Sequence, residues 1–232
     1  PVEGESREVG LKFDLWGDKL VGAVSGYEII ENGRVVNDPD APNKDSVDRN
    51  GLTPFDPGFD PTNLDPAFPI GAKRQVGETT SQGVDIDLLF RPNARWQSKI
   101  GYSYLDFFIS EDLDPTQVGR TNNGVAKHRF SAWNKYSFSD QGLLRGLSVG
   151  AGVTWSAPAH RGYVGDEAVQ GEATYTAQAS LTWSGRIFDR MWRFSVNGRN
   201  LTETPVEVRL GSNPRVYRFD TERSFVFSAG VT

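Results

Sequence analysis

The side chains that could do chemistry in this chain are few and scattered. Two histidines and no cysteine occur among 232 residues, which excludes a disulfide framework and thiolate metal sites. His128 stands in Lys127-His128-Arg129-Phe130 and His160 in Ala159-His160-Arg161-Gly162-Tyr163. Neither has a second histidine nearby in sequence, so zinc is poorly supported. Asp85 and Asp87 look like a carboxylate pair, but they fall two apart on one strand, about 7 Å by strand rise. Glycoside hydrolysis needs an acid and a base facing each other across a cleft, and nothing supplies the opposing partner. Asp48-Arg49-Asn50-Gly51 resembles the start of a calcium loop, yet Phe59 holds the twelfth position, where a bidentate carboxylate belongs. Asp-Pro pairs at 38–39, 56–57, 60–61 and 65–66, which favour turns, account for this acidity more simply. No catalytic constellation emerges. The chain reads as a protein that is not an enzyme and carries no cofactor.

What positions these residues is a series of segments, each about ten residues long, in which apolar and polar side chains alternate. The clearest is Tyr175-Thr176-Ala177-Gln178-Ala179-Ser180-Leu181-Thr182-Trp183. Its odd positions are apolar and its even positions carry hydroxyls and one amide, which is the period of a strand with one face in oil and one in water. Similar patterns predict strands over 9–15, 83–91, 96–104, 129–138, 147–156, 192–199 and 225–231. A further strand over about 19–30 has no clear apolar face. Loops are expected over about 31–79, 107–126 and 157–172, and the segment 201–222 is ambiguous. No helical period of useful length appears.

Mean hydropathy is −0.48, and no apolar run approaches the ~20 residues of a membrane helix. A helical membrane protein is therefore excluded. A barrel is not, because half of each strand faces a polar bore and the average cancels. About ten tilted residues also cross a bilayer as a barrel strand. Connections alternate short and long, as they do when tight turns lie on the periplasmic side and loops outside. Aromatic residues gather at strand ends, among them Trp16, Trp96, Tyr104, Phe138, Trp155, Trp183 and Trp192, where such rings sit at a membrane boundary. These features together favour an all-β, antiparallel transmembrane β-barrel over a soluble lipocalin-like barrel or β-sandwich, whose strands also alternate.

On that architecture Lys99, Arg129, Arg193 and Arg199 are expected to line an aqueous lumen, where cations could focus a field on an anionic chelate. On the external loops the candidate ligand contacts are Phe107, Phe108, His160, Arg161 and Tyr163. His160 could touch a ligand there or stand in solvent, and His128 heads a strand at the rim. Outer-membrane lipid is the partner that the apolar face implies. A net charge of −5 argues against nucleic acid. Nine antiparallel strands would set the first and last in parallel on closure, whereas bacterial single-chain barrels have even numbers. An open sheet would leave two edges unsatisfied in hydrocarbon. The expectation is a partial barrel, with the missing wall before Pro1.

Several strings of residues carry a family resemblance: Glu8-Val9-Gly10-Leu11-Lys12-Phe13-Asp14-Leu15, Gln82-Gly83-Val84-Asp85-Ile86-Asp87-Leu88 and Gly101-Tyr102-Ser103-Tyr104-Leu105-Asp106. They continue with Lys127-His128-Arg129-Phe130-Ser131-Ala132-Trp133-Asn134-Lys135-Tyr136 and Phe194-Ser195-Val196-Asn197-Gly198-Arg199-Asn200-Leu201. In this order they resemble the C-terminal part of a TonB-dependent outer-membrane receptor, and several lie closest to receptors that carry iron–siderophore complexes. The resemblance covers nearly the whole chain. It implies a barrel of about 22 strands, of which these would be the last nine, together with a plug and a TonB box that this sequence does not contain. It also implies a function in which external loops capture a scarce ligand, a ferric siderophore or alternatively cobalamin or a carbohydrate. TonB would then supply the pull that moves the ligand through. Family members usually end in an aromatic residue, and Thr232 stands here instead. The rival readings are a passive porin-like barrel and a soluble β-sandwich carbohydrate-binding module.

Overall fold

Alternating side chains leave the backbone one regular choice, and in the computed structural model every regular element of the described residues is a strand. The structure describes residues 2–38, 42, 45–65, 72–139, 141–209, 217–220 and 222–231. Its strands are β1 (Glu3–Leu15), β2 (Leu20–Asp38), β3 (Ala72–Asn93), β4 (Trp96–Glu111), β5 (His128–Ser137), β6 (Leu147–Ser156) and β7 (His160–Val164). They continue as β8 (Glu167–Gln170), β9 (Thr174–Ile187), β10 (Arg190–Arg199), β11 (Val206–Arg209), β12 (Tyr217–Asp220) and β13 (Ser224–Val231). Nine form a single sheet in the order β1-β2-β3-β4-β5-β6-β9-β10-β13, with β1 and β13 as its end strands. These are the nine strands expected from the alternation. The remaining four make two separate hairpins, β7–β8 and β11–β12.

Three connections differ from the expectation. The long loop placed over 31–79 gives way at both ends to strand, leaving 39–71 between β2 and β3. The loop placed from residue 107 begins later, because β4 runs to Glu111. The loop over 157–172 contains the β7–β8 hairpin. In each case a partner segment supplies ladder bonds that a polar or mixed pattern does not announce. Within 201–222, β11 pairs with β12, and residues 210–216 and 221 lie outside the described residues.

The register gathers the apolar positions on one face. Ile100, Ala132, Val153 and Ala177 form one cross-strand row, and Val149, Leu181, Val196 and Phe227 another. A slip of one residue at any pairing would break both rows. The opposite face carries Gly101, Ser131, Thr154 and Thr176 in one row and Ser148, Thr182, Ser195 and Ser228 in another. Hydroxyls bond across it, with Ser195 Oγ 2.6 Å from Ser228 Oγ and Ser148 Oγ donating to Ser137 Oγ at 3.0 Å. The apolar face is the bare one: Val9 is 78% exposed, Leu11 66% and Phe227 73%. Among the described residues only Val36, Ile109 and Ala126 are buried apolar side chains.

Two residues break the alternation, and each break is compensated. Trp133 points to the polar face and lies against Gly150 and Gly152 of β6, whose missing side chains leave room for the indole. A Cβ on Gly152 would stand 2.5 Å from the Trp133 ring. Asn134 falls on the apolar face, where its Oδ1 accepts from Ser98 Oγ at 2.5 Å and Trp96 Nε1 at 3.4 Å. The face of β2, which the sequence leaves open, is settled by its neighbours. A Cβ on Gly22 would meet Phe13 and Leu88, so Gly22 shares their apolar side, and Val21 and Ala23 face the other way.

The chain divides into two compact units, one of Pro1–Arg7, Glu28–Ser81 and Phe107–Asn122, the other of Glu8–Tyr27, Gln82–Asp106 and Asn123–Thr232. The first has a small interior at Val36 and Ile109, and Thr79, Thr80, Ser46 and Asp48 are also buried within that unit. Gly77 makes it possible, since a Cβ there would lie 2.5 Å from Val36 Cγ1 and 3.2 Å from the Glu111 carbonyl oxygen. Arg34 pairs with Asp112 at 3.6 Å, and Thr80 Oγ1 donates to Ser110 Oγ at 3.0 Å. Residues 117–122 fold back on β4: Ile109 N donates to Arg120 O at 3.0 Å and Gly119 N to Ile109 O at 2.8 Å. The second unit holds the apolar and polar rows described above.

Candidate ligand-binding surfaces

On the polar face of the second unit lies a concavity of about 850 Å³. Its polar lining comes from five strands: Lys12 and Asp14 of β1, Asp87 of β3, Lys99 of β4, Trp133 of β5 and Gln178 of β9. Charges of both signs thus line the concavity together with apolar side chains such as Val21, Ala23 and Leu89 and the Trp133 indole. Lys99 is the one expected lumen cation that lines it. Arg129 is paired in register with Ser103 and Ser156 at the loop end of β5, Arg193 with Ser184 and Gly230, and Arg199 with Ser224. The four cations are therefore spread over the wall and do not form one site. The sequence reading missed Trp133 as a lining residue. The available signal was its break in the pattern, together with Gly150-Ala151-Gly152 on the next strand.

The candidates His160, Arg161 and Tyr163 lie on β7, not on a free loop. Here the expectation is corrected: His160 is 3% exposed and neither solvated nor displayed. Its amide donates to Val125 O at 2.8 Å, its carbonyl accepts from Gly124 N at 2.7 Å, and Gly171 N donates to Ala159 O at 2.8 Å. Its Nδ1 lies 3.3 Å from Gln170 Nε2, and its ring centroid 4.6 Å from that of Tyr163. These bonds fix the base of the hairpin, and burial follows from them. His128 has its Nδ1 2.9 Å from the Tyr102 hydroxyl and its ring 5.1 Å from Tyr104. Beside it, Lys127 Nζ meets Asp106 Oδ1 at 2.7 Å.

Phe107 and Phe108, in the first unit, are likewise corrected from loop tips to half-buried residues of β4. Asn122 N donates to Phe107 O at 2.9 Å and Phe108 bridges to Thr121, so the returning segment runs alongside them. Asp48 organises the loop of this unit. Its Oδ1 accepts from the amides of Asn50 and Leu52, each at 2.9 Å, and its Oδ2 from the amide of Asp60 at 3.1 Å. Burial opposes ionisation, but the Leu52, Asp60 and Asn50 amides outweigh it and hold the carboxyl below the usual range. Its oxygens face N–H donors, and among the described residues no acidic or histidine cluster could hold a metal ion. The calcium-like string is a turn hub.

The Asp-Pro turns repeat one geometry. In both Asp60-Pro61-Thr62 and Asp114-Pro115-Thr116, the Asp Oδ1 accepts from the Thr amide at 2.9 Å and from its hydroxyl at 2.6 or 2.7 Å. These bonds lower the pKa of both carboxyls. Thr53 donates to Asp56 Oδ2 from its amide at 2.8 Å and its hydroxyl at 2.7 Å, and the turn so closed presents Phe55, 80% exposed. Phe55 was absent from the expected contacts, though Thr-Pro-Phe-Asp-Pro, a turn enclosing one aromatic, was there to be read.

Comparison with known proteins now adds the family. The model for the TonB dependent receptor-like β-barrel matches residues 1–201. The ferric-pyoverdine M114 receptor PbuA of Pseudomonas sp. (strain M114) is 25% identical over 233 residues, which covers 98% of this chain and 24% of that protein. The metal-pseudopaline receptor CntO of Pseudomonas aeruginosa is 24% identical over 155 residues, covering 67% of this chain and 18% of its own length. Among solved structures, BauA, the ferric preacinetobactin receptor of Acinetobacter baumannii, matches with a TM-score of 0.72 at 16% identity. That match covers 98% of this chain and 29% of BauA. The ferripyoverdine receptor of the Pseudomonas aeruginosa outer membrane matches with a TM-score of 0.67 at 19% identity, covering 99% and 27%. At such identities the structural likeness shows the fold alone. The chain spans about a quarter of the length of these relatives. With the sheet, its register and the family match in agreement, this chain belongs to the TonB-dependent receptor β-barrel family.

Proposed function

We propose that this chain is wall, lumen lining and loop of an energised outer-membrane transporter for a ferric siderophore. The observation that carries the reading is the bare apolar face, which is bounded at both ends by aromatic residues. Toward the loops stand Tyr102, Phe130, Trp155 and Tyr175, and toward the turns Trp96, Phe138, Trp183 and Trp192. From Tyr175 to Trp183 the chain advances about 27 Å. At the tilt usual in such barrels this spans about 20 Å of bilayer, close to their apolar band. Such a face would aggregate in water and is at rest against lipid tails. The end strands β1 and β13 would pair with further strands of the complete barrel, since edges in hydrocarbon cannot stay unsatisfied.

The two relatives named above as ferric-pyoverdine and metal-pseudopaline receptors support a metal chelate as the ligand. Phe55 and the β7–β8 hairpin, through Arg161 and Tyr163, are the proposed loop contacts. Lys99, Arg129, Arg193 and Arg199 provide spaced cations along the lumen. TonB, through a plug outside this chain, provides the work. The test is uptake of a labelled ferric siderophore by iron-starved cells with and without the full-length protein. Uptake is expected to disappear with the protein and when a protonophore collapses the proton gradient. Uptake that survives the protonophore would instead make the protein a passive pore.

A further inference from the structure

Near the turn ends of β6, β9, β10 and β13 the apolar face is not flat. Leu147, Leu181, Trp183, Phe194, Val196 and Phe227 enclose a cleft of about 410 Å³. The rings that bound it are braced. Phe194 stacks on Trp192 at 5.7 Å between centroids with planes 7° apart, and on Trp183 at 6.0 Å and 25°. The slot is thus pre-formed, as ligand clefts are. Its two polar neighbours, Ser195 and Ser228, bond each other at 2.6 Å and leave the slot apolar.

Two arginines lie close in sequence to residues that line or flank this slot. Arg190 precedes Trp192 by two residues on β10 and so shares its face. Arg145 precedes Leu147 by two residues, in the turn whose Gly146 carbonyl accepts from Ser184 N at 2.9 Å. Both arginines are exposed, and among the described residues neither forms a salt bridge. The sequence is polarised in the same sense. Residues 16–19, 91–95, 138–146 and 184–190, all at turns, carry six Lys or Arg against three Asp, whereas residues 28–82 carry ten acids against five bases.

We infer that this cleft holds an acyl chain of one anionic phospholipid, whose phosphate is gripped by Arg145 and Arg190. The inference rests on the outward face being the lipid face. A slot lined by apolar side chains, its two serines bonded to each other, selects a hydrocarbon chain, and guanidinium groups near its turn end would select a phosphate with net negative charge. Basic residues at the membrane surface add attraction for anionic over zwitterionic headgroups.

The full-length protein, purified in mild detergent, is mixed with phosphatidylglycerol or phosphatidylethanolamine of equal chain length and examined by native mass spectrometry. One phosphatidylglycerol should be retained about tenfold more strongly than phosphatidylethanolamine. The double variant Arg145→Gln/Arg190→Gln should lose most of that preference, whereas Arg95→Gln, in the β3–β4 turn, should keep it. Leu181→Trp, which fills the cleft, should weaken retention of both lipids, and a heat-modifiability gel checks that each variant is folded. Equal retention of the two lipids, an unchanged preference in the double variant, or a dimer that masks the cleft would each overturn the inference. Loss of the underlying reading looks different: the protein would then stay monodisperse in plain buffer and fail to enter vesicles.

Discussion

The two units treat their apolar side chains differently. The unit built from Pro1–Arg7, Glu28–Ser81 and Phe107–Asn122 buries Val36 and Ile109 and secures its loop with Asp48, while leaving Val35 and Phe55 exposed. The other buries a single apolar side chain, Ala126, among its described residues and displays Val9, Leu11, Leu181 and Phe227. On the function proposed above, the difference follows from the solvent each unit would meet. In water, apolar area is hidden and polar groups are left out. In lipid, the outside must be apolar, and stability comes from closing every backbone hydrogen bond in the ladder.

The sharpest way to break this comparison is to put a charge on each face of the sheet. Ala151→Arg, in the middle of the apolar face, should cost about 2–4 kcal/mol of stability in vesicles, whereas Thr182→Arg on the polar face should cost less than about 1. Urea titrations in lipid vesicles measure both. Equal costs would mean that the apolar face does not meet hydrocarbon.

The water-facing unit should answer to a different substitution. Val36→Ala removes buried methyl groups from its small interior and should cost about 1–3 kcal/mol. The loss should appear as faster amide exchange over 45–65 and 107–122, with the β9–β10 ladder unchanged. Faster exchange throughout the sheet would merge the two units into one.

Acid should separate the units as well. Asp48, Asp56, Asp60 and Asp114 all have carboxyl groups held below the usual range, mainly by hydrogen bonds from Leu52, Thr53, Thr62 and Thr116 or their neighbours, against burial. A carboxyl depressed in the folded state stabilises it above the unfolded value and loses that contribution as pH falls through the folded one. The loop unit should therefore loosen below about pH 4, and the second unit should persist. Exchange measured at neutral pH and at pH 3 tests this, and an acid-insensitive loop would remove the Asp hubs as its fasteners.

The smallest effect concerns a turn. Phe188 and Asp189 join β9 to β10 with φ of 47° and 60°, a left-handed pair that suits the twist of a hairpin. Phe188 is 95% exposed there. Phe188→Gly should relieve about 1 kcal/mol of backbone strain, visible as a slightly later unfolding midpoint. A lower midpoint would show that the exposed ring itself contributes.

The sequence by itself determined the existence of the nine wall strands, the apolar face of all but β2 and the tight turns, because a strand's period of two depends on neighbours only for its partner. Tyr175 to Trp183 announces a wall segment in isolation. It could not determine where strands stop when their ladders continue through polar residues, so β2 to Asp38, β3 from Ala72 and β4 to Glu111 were legible only once paired. Nor could it tell a displayed histidine from a buried one, since His160 owes its burial to Val125, Gly124 and Gln170, which reach it from outside β7. Trp133 lies flat because Gly150 and Gly152, seventeen and nineteen residues away, leave it room. Burial, close approach and the satisfaction of a carboxylate such as Asp48 are properties of pairs distant along the chain, and only the folded arrangement decides which pairs meet.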